Sequence, residues 1–380
     1  MTCQKGWFRS STEPVQLTGT TFYTHFLPPV TLYYVQAILV TLPNTILARL
    51  ALLPVGIFFS YRAAVHLNLS GGDTRMESKN AGITVLMGIL TLRIFGWSFE
   101  RAHLVRVGKQ RNRARTTAEV LLDAAELCFN QRGIGWNWGR PPTNAYGPDL
   151  SRYTSSLQAA ASFIKHAFVF EIAVYIHDAV FKSDNLLPQA ARSIIAVLIF
   201  PLMTYAHGAA HYDMLHFFGV AILGQEGKEW PPLFNKPWRS TSLADFWGRR
   251  WQQHMRDSIA RAGGHPLDAL FGAPGYVLGT FLASGIWHDL GIWGASRSSG
   301  LCCTLTPFFV LNGIGVVAEG FVRRASGRRP GGVAGWIWTM GWLLTTYTCT
   351  FNFYCMQSYY HGAAQMQHLQ LYKALGRVFR

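Results

Sequence analysis

Charge is what this chain has least of. Only 14% of its 380 residues are Asp, Glu, Lys or Arg, against roughly 25% in ordinary soluble domains. Acids are the scarcer sign, 19 against 34 basic residues. The motifs of many soluble catalysts are missing too. No GxSxG, P-loop or GxGxxG occurs, so neither a serine elbow nor a phosphate-cradling loop is on offer. The six cysteines (Cys3, Cys128, Cys302, Cys303, Cys349 and Cys355) form no CxxC pair, which leaves them as small buried hydrophobes rather than a disulfide or zinc framework. The first 25 residues lack a compact apolar core, so no cleavable signal peptide is expected. No internal repeat and no linker divides the chain.

Apolar sequence fills the space. Hydrophobic residues make up 49% and aromatics 14%, the mean hydropathy is +0.14, and long apolar stretches recur throughout. This composition predicts an all-α, polytopic integral membrane protein of about eight transmembrane helices. Its parts are a polar segment 1–27, one multi-span domain 28–360 and a polar tail 361–380. The net charge of +15 is not a nucleic-acid signature, because the basic residues cluster between apolar spans as the positive-inside rule requires.

In chain order, Pro28 to Ala64 is long enough for two crossings broken near Pro43 and Asn44. Asn68-Leu69-Ser70 is a glycosylation sequon. The next span is Ala81 to Phe99. Arg101, Arg106, Lys109, Arg111, Arg113 and Arg115 then fall in fifteen residues without an acid, which predicts a cytoplasmic loop; a solvated face near anionic headgroups explains it without a substrate. After an amphipathic segment, Leu121 to Phe129, comes RGIGWNWGRPP, Arg132 to Pro142, an ordered interfacial loop in which Arg132 and Arg140 are candidates for meeting phosphate groups. Further spans are Gln158 to Val180, Ala190 to Leu223, Leu270 to Trp287, Leu301 to Val322 and Gly335 to about Tyr354. Ala190 to Leu223 either crosses once or turns back near His207. Arg323, Arg324, Arg328 and Arg329 mark a second cytoplasmic loop.

Glu229 to Leu290 is the organising stretch. Ser242 with Asp245 is a capping-box pattern. Leu243, Phe246, Trp247, Trp251, Met255 and Ile259 then recur at helical spacing, with Arg249, Arg250 and Arg256 largely off that face. Such a pattern predicts an amphipathic helix in a membrane interface. The apolar run that follows ends at His288 and Asp289, and an ionisable residue at membrane depth is a functional candidate by default. His166, His177, His207, His211 and His216 also lie within or beside spans. His207 and His211 share a helix face, and Asp178 and Asp213 are candidate partners for such histidines. A di-iron site needs several His boxes and no HxxHH is present, so polar residues lining a hydrated cavity is the plainer reading and no metal is expected.

Three blocks together resemble a known family. Trp230 to Trp251, WPPLFNKPWRSTSLADFWGRRW, is similar to the signature of the wax synthase family within the membrane-bound O-acyltransferases. SGIWHD, Ser284 to Asp289, resembles the block that carries that family's catalytic histidine, and RGIGWNW, Arg132 to Trp138, a segment of its fungal branch. The resemblance implies acyl transfer from an acyl-CoA to an alcohol with His288 as base. For the fungal branch it implies acetyl-CoA as co-substrate, with no bound cofactor, and a terpenoid hydroxyl as acceptor. Plant members esterify long-chain alcohols. The family often has Asn after the second tryptophan, where this chain has Gln252. The candidate site is therefore His288, Asp289 and Gln252 for catalysis, with Trp247, Arg249, Arg250, Trp251, Ser284, Arg132 and Trp136 for substrate. A lipophilic alcohol, an acyl-CoA and the bilayer are the expected partners, and an endomembrane such as the endoplasmic reticulum the expected place. The competing class is a non-enzymatic transporter whose histidines line a solute path; inverted halves with matching broken helices would mark one, and none is seen.

Overall fold

A computed structural model describes residues 14–71, 77–107, 115–139, 151–182, 188–222, 224–296, 305–328 and 330–350. Lys109, Arg111, Arg113, Arg140, Arg329, Cys3, Cys302, Cys303, Cys355 and the tail 361–380 lie outside them, as does the side chain of Asp178. Nine helices of more than ten residues organise the described chain: α1 Leu27–Val40, α2 Ile46–His66, α3 Glu77–Phe99, α4 Thr117–Phe129, α5 Arg152–Lys182, α6 Gln189–Ala221, α7 His265–Ser296, α8 Leu305–Ser326 and α9 Gly332–Thr350. The extended structure consists of short bridges, with Val15–Gln16 pairing in parallel with Leu67–Asn68.

Local chemistry explains several boundaries. A π turn, Phe22–Phe26, runs directly into α1, and Pro28 and Pro29 stand at the junction, where neither has an N–H to donate. The break after α1 falls at Thr41–Thr45, where Asn44 takes a positive φ of 58°, so the chain turns at the residue type that tolerates it. Thr116 and Glu119 close a reciprocal capping box on α4. The sequon folds back on itself, Asn68 Oδ1 accepting from Ser70 N at 2.9 Å, Ser70 Oγ at 2.8 Å and Asn80 Nδ2 at 3.0 Å.

By length and hydropathy, five segments among the described residues suit a membrane crossing: Ile46–His66, Lys79–Phe99, Arg152–His177, Arg256–Gly294 and Leu305–Ser326. The 33-residue α6 runs without a turn at His207, which settles the open reading of Ala190 to Leu223 in favour of one continuous helix. The span read as Leu270 to Trp287 belongs to the longer α7, so His288 stands two turns inside the helix rather than at its end. A break at Gly272, φ 63°, interrupts its early part.

One apolar core joins α1, α3 and α4 through Tyr33, Ile94, Trp97, Leu127 and Trp136. Another joins α5, α6 and α7 through Phe170, Phe200, Met203 and Ile292. Buried cations find carbonyls, as a low-dielectric interior demands. Arg93 donates to Leu127 O at 2.7 Å and Asn130 O at 3.0 Å at the end of α4 and stacks over Trp97. Arg49 donates to the carbonyls of Trp97 and Glu100. Cys128, part-buried beside the first core, has its thiol pushed up to about 12 by burial, with Arg93 opposing. Cys349 departs from the buried reading and is exposed on α9.

Candidate functional site

The segment between α6 and α7 is not the single amphipathic helix expected. Ser242 Oγ does accept from Asp245 N at 3.0 Å and starts a helical turn, Leu243–Asp245. A wide π turn follows over Phe246–Arg250, and Trp251 closes it with extended backbone, ψ 132°. Gln252 then sits in the left-handed region at φ 25°, where Asn is the better tolerated non-glycine residue. Helix resumes only at Arg256. Asp245 does not complete the capping box; its buried carboxylate takes Arg249 Nε at 2.8 Å on one oxygen and Arg250 Nε at 2.6 Å on the other. Two adjacent guanidinium groups held by one carboxylate fold the π turn back on itself. Arg249 remains largely exposed, Arg250 less so.

Trp247 and Trp251 leave this turn on the apolar side. The ring of Trp247 meets Phe281 of α7 at 5.6 Å and Phe309 of α8 at 5.5 Å, and Trp251 stacks on Phe246 at 5.4 Å. Phe309 also lies 4.6 Å from the His288 ring, so one phenyl links the π turn to the histidine. Trp247 is half-buried, so its removal costs less than the about 3–5 kcal/mol of a fully buried aromatic in a packed core. Trp247→Ala is therefore expected to lower both the thermal midpoint in detergent and the amount of folded protein. Unchanged abundance with unchanged turnover would show that this face is not packed.

His288 is held by its own helix. Its Nδ1 lies 2.7 Å from the carbonyl oxygen of Ser284. A carbonyl only accepts, so Nδ1 carries the proton and a neutral ring keeps its lone pair on Nε2. Trp287 packs edge-on at 4.8 Å and fits because Gly88 of α3 leaves room: a Cβ there would stand 2.8 Å from the indole. The neighbouring Asp289, 1% exposed, has a different task. Its two carboxylate oxygens accept from Leu305 N at 2.7 Å and Thr306 N at 2.9 Å, satisfying orphan amides at the start of α8. Gly285 permits that approach, since a Cβ there would meet Thr306 Cα at 2.5 Å. Asp289 thus anchors the helix that brings Phe309 to His288.

The other sequence candidates lie elsewhere. Trp136 is 2% exposed in the α1–α3–α4 core and donates to Glu126 Oε1 at 3.3 Å. Arg132 donates to Pro231 O at 2.6 Å, pinning the start of the signature. Arg106, read as part of a solvated basic face, bridges Glu126 at 2.6 Å and Glu229 at 3.1 Å. His166 pairs with Asp213 at 2.7 Å. The His207 and His211 rings are 4.3 Å apart, and among the described residues no three His, Cys, Asp or Glu side chains group as metal ligands.

Three residues of the site escaped the sequence reading. Asn312, fully buried on α8, accepts from Trp247 Nε1 at 3.2 Å and donates to Thr346 Oγ1 on α9 at 3.2 Å. Glu319 accepts from Leu243 N at 2.7 Å, Ala244 N at 3.0 Å and Trp338 Nε1 at 2.8 Å. His254, after the π turn, has a buried Nδ1 without a partner. Burial, then the nearby Arg132 charge, lowers it to about 4, so the ring is neutral at pH 7. An acid inside an apolar span was the available signal for Glu319.

Long apolar helices closing round a part-buried histidine define a membrane-embedded helical protein. The profile of the Membrane bound O-acyl transferase family matches residues 230–311, the segment that contains the π turn, His288 and the start of α8. The chain is 32% identical over 191 residues to a probable long-chain-alcohol O-fatty-acyltransferase 9 of Arabidopsis thaliana, covering 47% of this chain and 52% of the relative. It is 26% identical over 314 residues to the O-Mevalon transferase yanI of Aspergillus niger, 68% of this chain and 69% of the relative. With the acetyltransferase ple2 of Rhodocybe pseudopiperita it shares 25% over 249 residues, 60% and 64% of the two lengths. The chain thus spans about half the length of the plant relative and about two thirds of the fungal ones. These matches bear out the likeness to the wax synthase-like membrane-bound O-acyltransferases, including their fungal branch.

Proposed function

We propose that the chain transfers an acyl group from an acyl-CoA to the hydroxyl of a lipophilic alcohol, with His288 as general base. The observation that carries this is the Nδ1 bond to Ser284 O, which presents a fixed, unprotonated Nε2 among aromatic rings. Nε2 takes the hydroxyl proton as the alcohol oxygen attacks the thioester carbonyl. The C–S bond then breaks, the CoA thiolate recovers the proton from the imidazolium, and ester and free CoA leave. Such help is worth about 10²–10⁴-fold. Asp289 acts as a positioning residue. Trp247 and Trp251 wall the acyl side, and the exposed face of Arg249 is placed for the phosphates of CoA, with Arg250 held by the same carboxylate. Gln252, at the turn, supplies an amide. Arg132 and Trp136 support the site from behind rather than by touching substrate.

Acetyl is the favoured acyl group because one fungal relative is named an acetyltransferase, and a terpenoid is the acceptor that the likeness to the fungal branch supports. Wax-ester synthesis is the second reading, supported by the plant relative. The reaction belongs to a single multi-span domain, 28–360, in an endomembrane. Membranes carrying the protein should release free CoA from acetyl-CoA only when a lipophilic alcohol is added. In competition, acetyl-CoA should be consumed ahead of palmitoyl-CoA over a panel of terpenoid and fatty alcohols. A palmitoyl preference with fatty alcohols would move the assignment to wax synthesis, and no alcohol-dependent release would defeat both.

A further inference from the structure

Two stretches without an acid meet at one corner of the bundle. Residues 236–243 of the signature and 323–338, which join α8 to α9, contain no Asp or Glu. Among the described residues they carry Lys236, Arg239, Arg323, Arg324 and Arg328. Contacts bring the stretches together. Trp336 Nε1 donates to Trp238 O at 2.8 Å, and a Cβ on Gly335 would stand 2.4 Å from Thr241 O, so the start of α9 lies directly on 238–241. Glu319, one turn before Arg323 on α8, accepts from Leu243 N at 2.7 Å. All five basic residues are exposed, and none of their side chains has a hydrogen bond or ion pair to a described residue. The adjoining acids are engaged elsewhere, Glu319 by two amides and an indole and Asp245 by Arg249 and Arg250. The carbonyl end of α8 accounts for Arg323 and Arg324 in its last turn. It does not account for Lys236 and Arg239, which arrive from another part of the chain.

The same two stretches expose apolar surface: the rings of Trp238 and Trp336 and the side chains of Val333 and Ile337. Indoles beside unpaired cations suit the headgroup level of a bilayer, with hydrocarbon on one side and phosphate on the other. We propose that this corner binds an anionic phospholipid of the adjoining leaflet, its phosphate among the five cations and its chains along Val333, Trp336 and Ile337. Guanidinium groups are suited to phosphate oxygens, which they take in pairs. A lipid fits better than a free anion because the surface asks for an occupant charged at one end and apolar at the other. Bound there, it ties the end of α8 and the start of α9 to 236–239 and so steadies the signature segment. The proposal stands on this surface and does not depend on the acyl-transfer chemistry.

Native mass spectrometry of the full chain released from neutral micelles reads the bound lipid directly. Dioleoylphosphatidylserine should bind at least about 10-fold more tightly than dioleoylphosphatidylcholine, and should raise the thermal midpoint where phosphatidylcholine does not. The pair Arg239→Gln with Arg324→Gln should lose that preference. Arg239→Lys with Arg324→Lys, which keeps the charge, should retain most of it. Arg101 and Lys165 are exposed and lie on other parts of the chain, so Arg101→Gln with Lys165→Gln removes the same charge and should leave the preference intact. Equal binding of the two lipids by the unaltered chain would overturn the proposal, and that comparison holds whether or not a variant folds. Equal loss in the two Gln pairs would also overturn it, since it would mean diffuse attraction by the net charge of +15. So would displacement of phosphatidylserine by desulfo-CoA, which would assign the corner to the phosphates of CoA.

Discussion

His288→Ala is expected to insert in membranes and accumulate near the wild-type level while ester formation falls at least about 10²-fold. The reasoning starts from what the ring touches. Nδ1 is spent on Ser284 O of the same helix, so the side chain ties no other helix by that bond. Among the described residues its ring contacts are Phe309 and Trp287, and losing them loosens packing without removing a buried charge. His288→Gln fills more of the space and separates the two effects: it should restore stability and not turnover. The assay is product per mole of detergent-solubilised protein, with abundance checked by blot. His207→Ala and His211→Ala should be milder. Near-normal turnover in His288→Ala would end the general-base mechanism, and loss at His207 and His211 instead would revive a metal reading.

Asp289→Asn provides the contrast. A ring-orienting carboxylate would, when amidated, change turnover and leave the fold alone. Here both oxygens accept backbone amides of α8, and an amide side chain keeps only one acceptor. The same substitution should therefore lower the thermal midpoint together with turnover.

Helix positions were largely legible because apolar length alone marks a crossing: α3, α5 and α8 fall close to where hydropathy puts them. The site was legible only as blocks. The break at Trp251 was hidden because WQQH contains neither Pro nor Gly, and the spacing of Phe246, Trp247 and Trp251 suits a helix as well as a π turn. Asp245 looked like a capping partner by spacing, yet two following guanidinium groups bind it more strongly than one backbone amide would. Asn312 and Thr346 were silent for another reason. Each is a polar residue in a largely apolar helix, and its importance comes from a partner on a different helix, which no local pattern encodes.

Glu319 carries the largest expected effect on stability. Its buried carboxylate accepts three N–H donors, the amides of Leu243 and Ala244 and the indole of Trp338. The two amides open the helical turn that leads into Phe246–Arg250, where helical geometry supplies no acceptor. One side chain of α8 thus fixes the start of the π turn and also ties α9. Replacing it with Ala strands one fully buried donor, Leu243 N, and two part-buried ones, Ala244 N and Trp338 Nε1, and a buried unsatisfied group costs about 1–3 kcal/mol. Part of that is recovered by relaxation and by not burying the acid. Glu319→Ala should therefore lose roughly 2–4 kcal/mol, seen as a sharp fall in thermal midpoint and in recovered protein. Glu319→Gln, which keeps one acceptor oxygen, should lie between, and Trp338→Phe, which removes a single donor, should cost least. If Glu319→Ala unfolded at the wild-type temperature, the carboxylate would not be the link between α8 and the signature turn. If it were destabilised while Trp338→Phe cost just as much, the bond to α9, rather than the cap on Leu243 and Ala244, would be what holds the turn beneath His288.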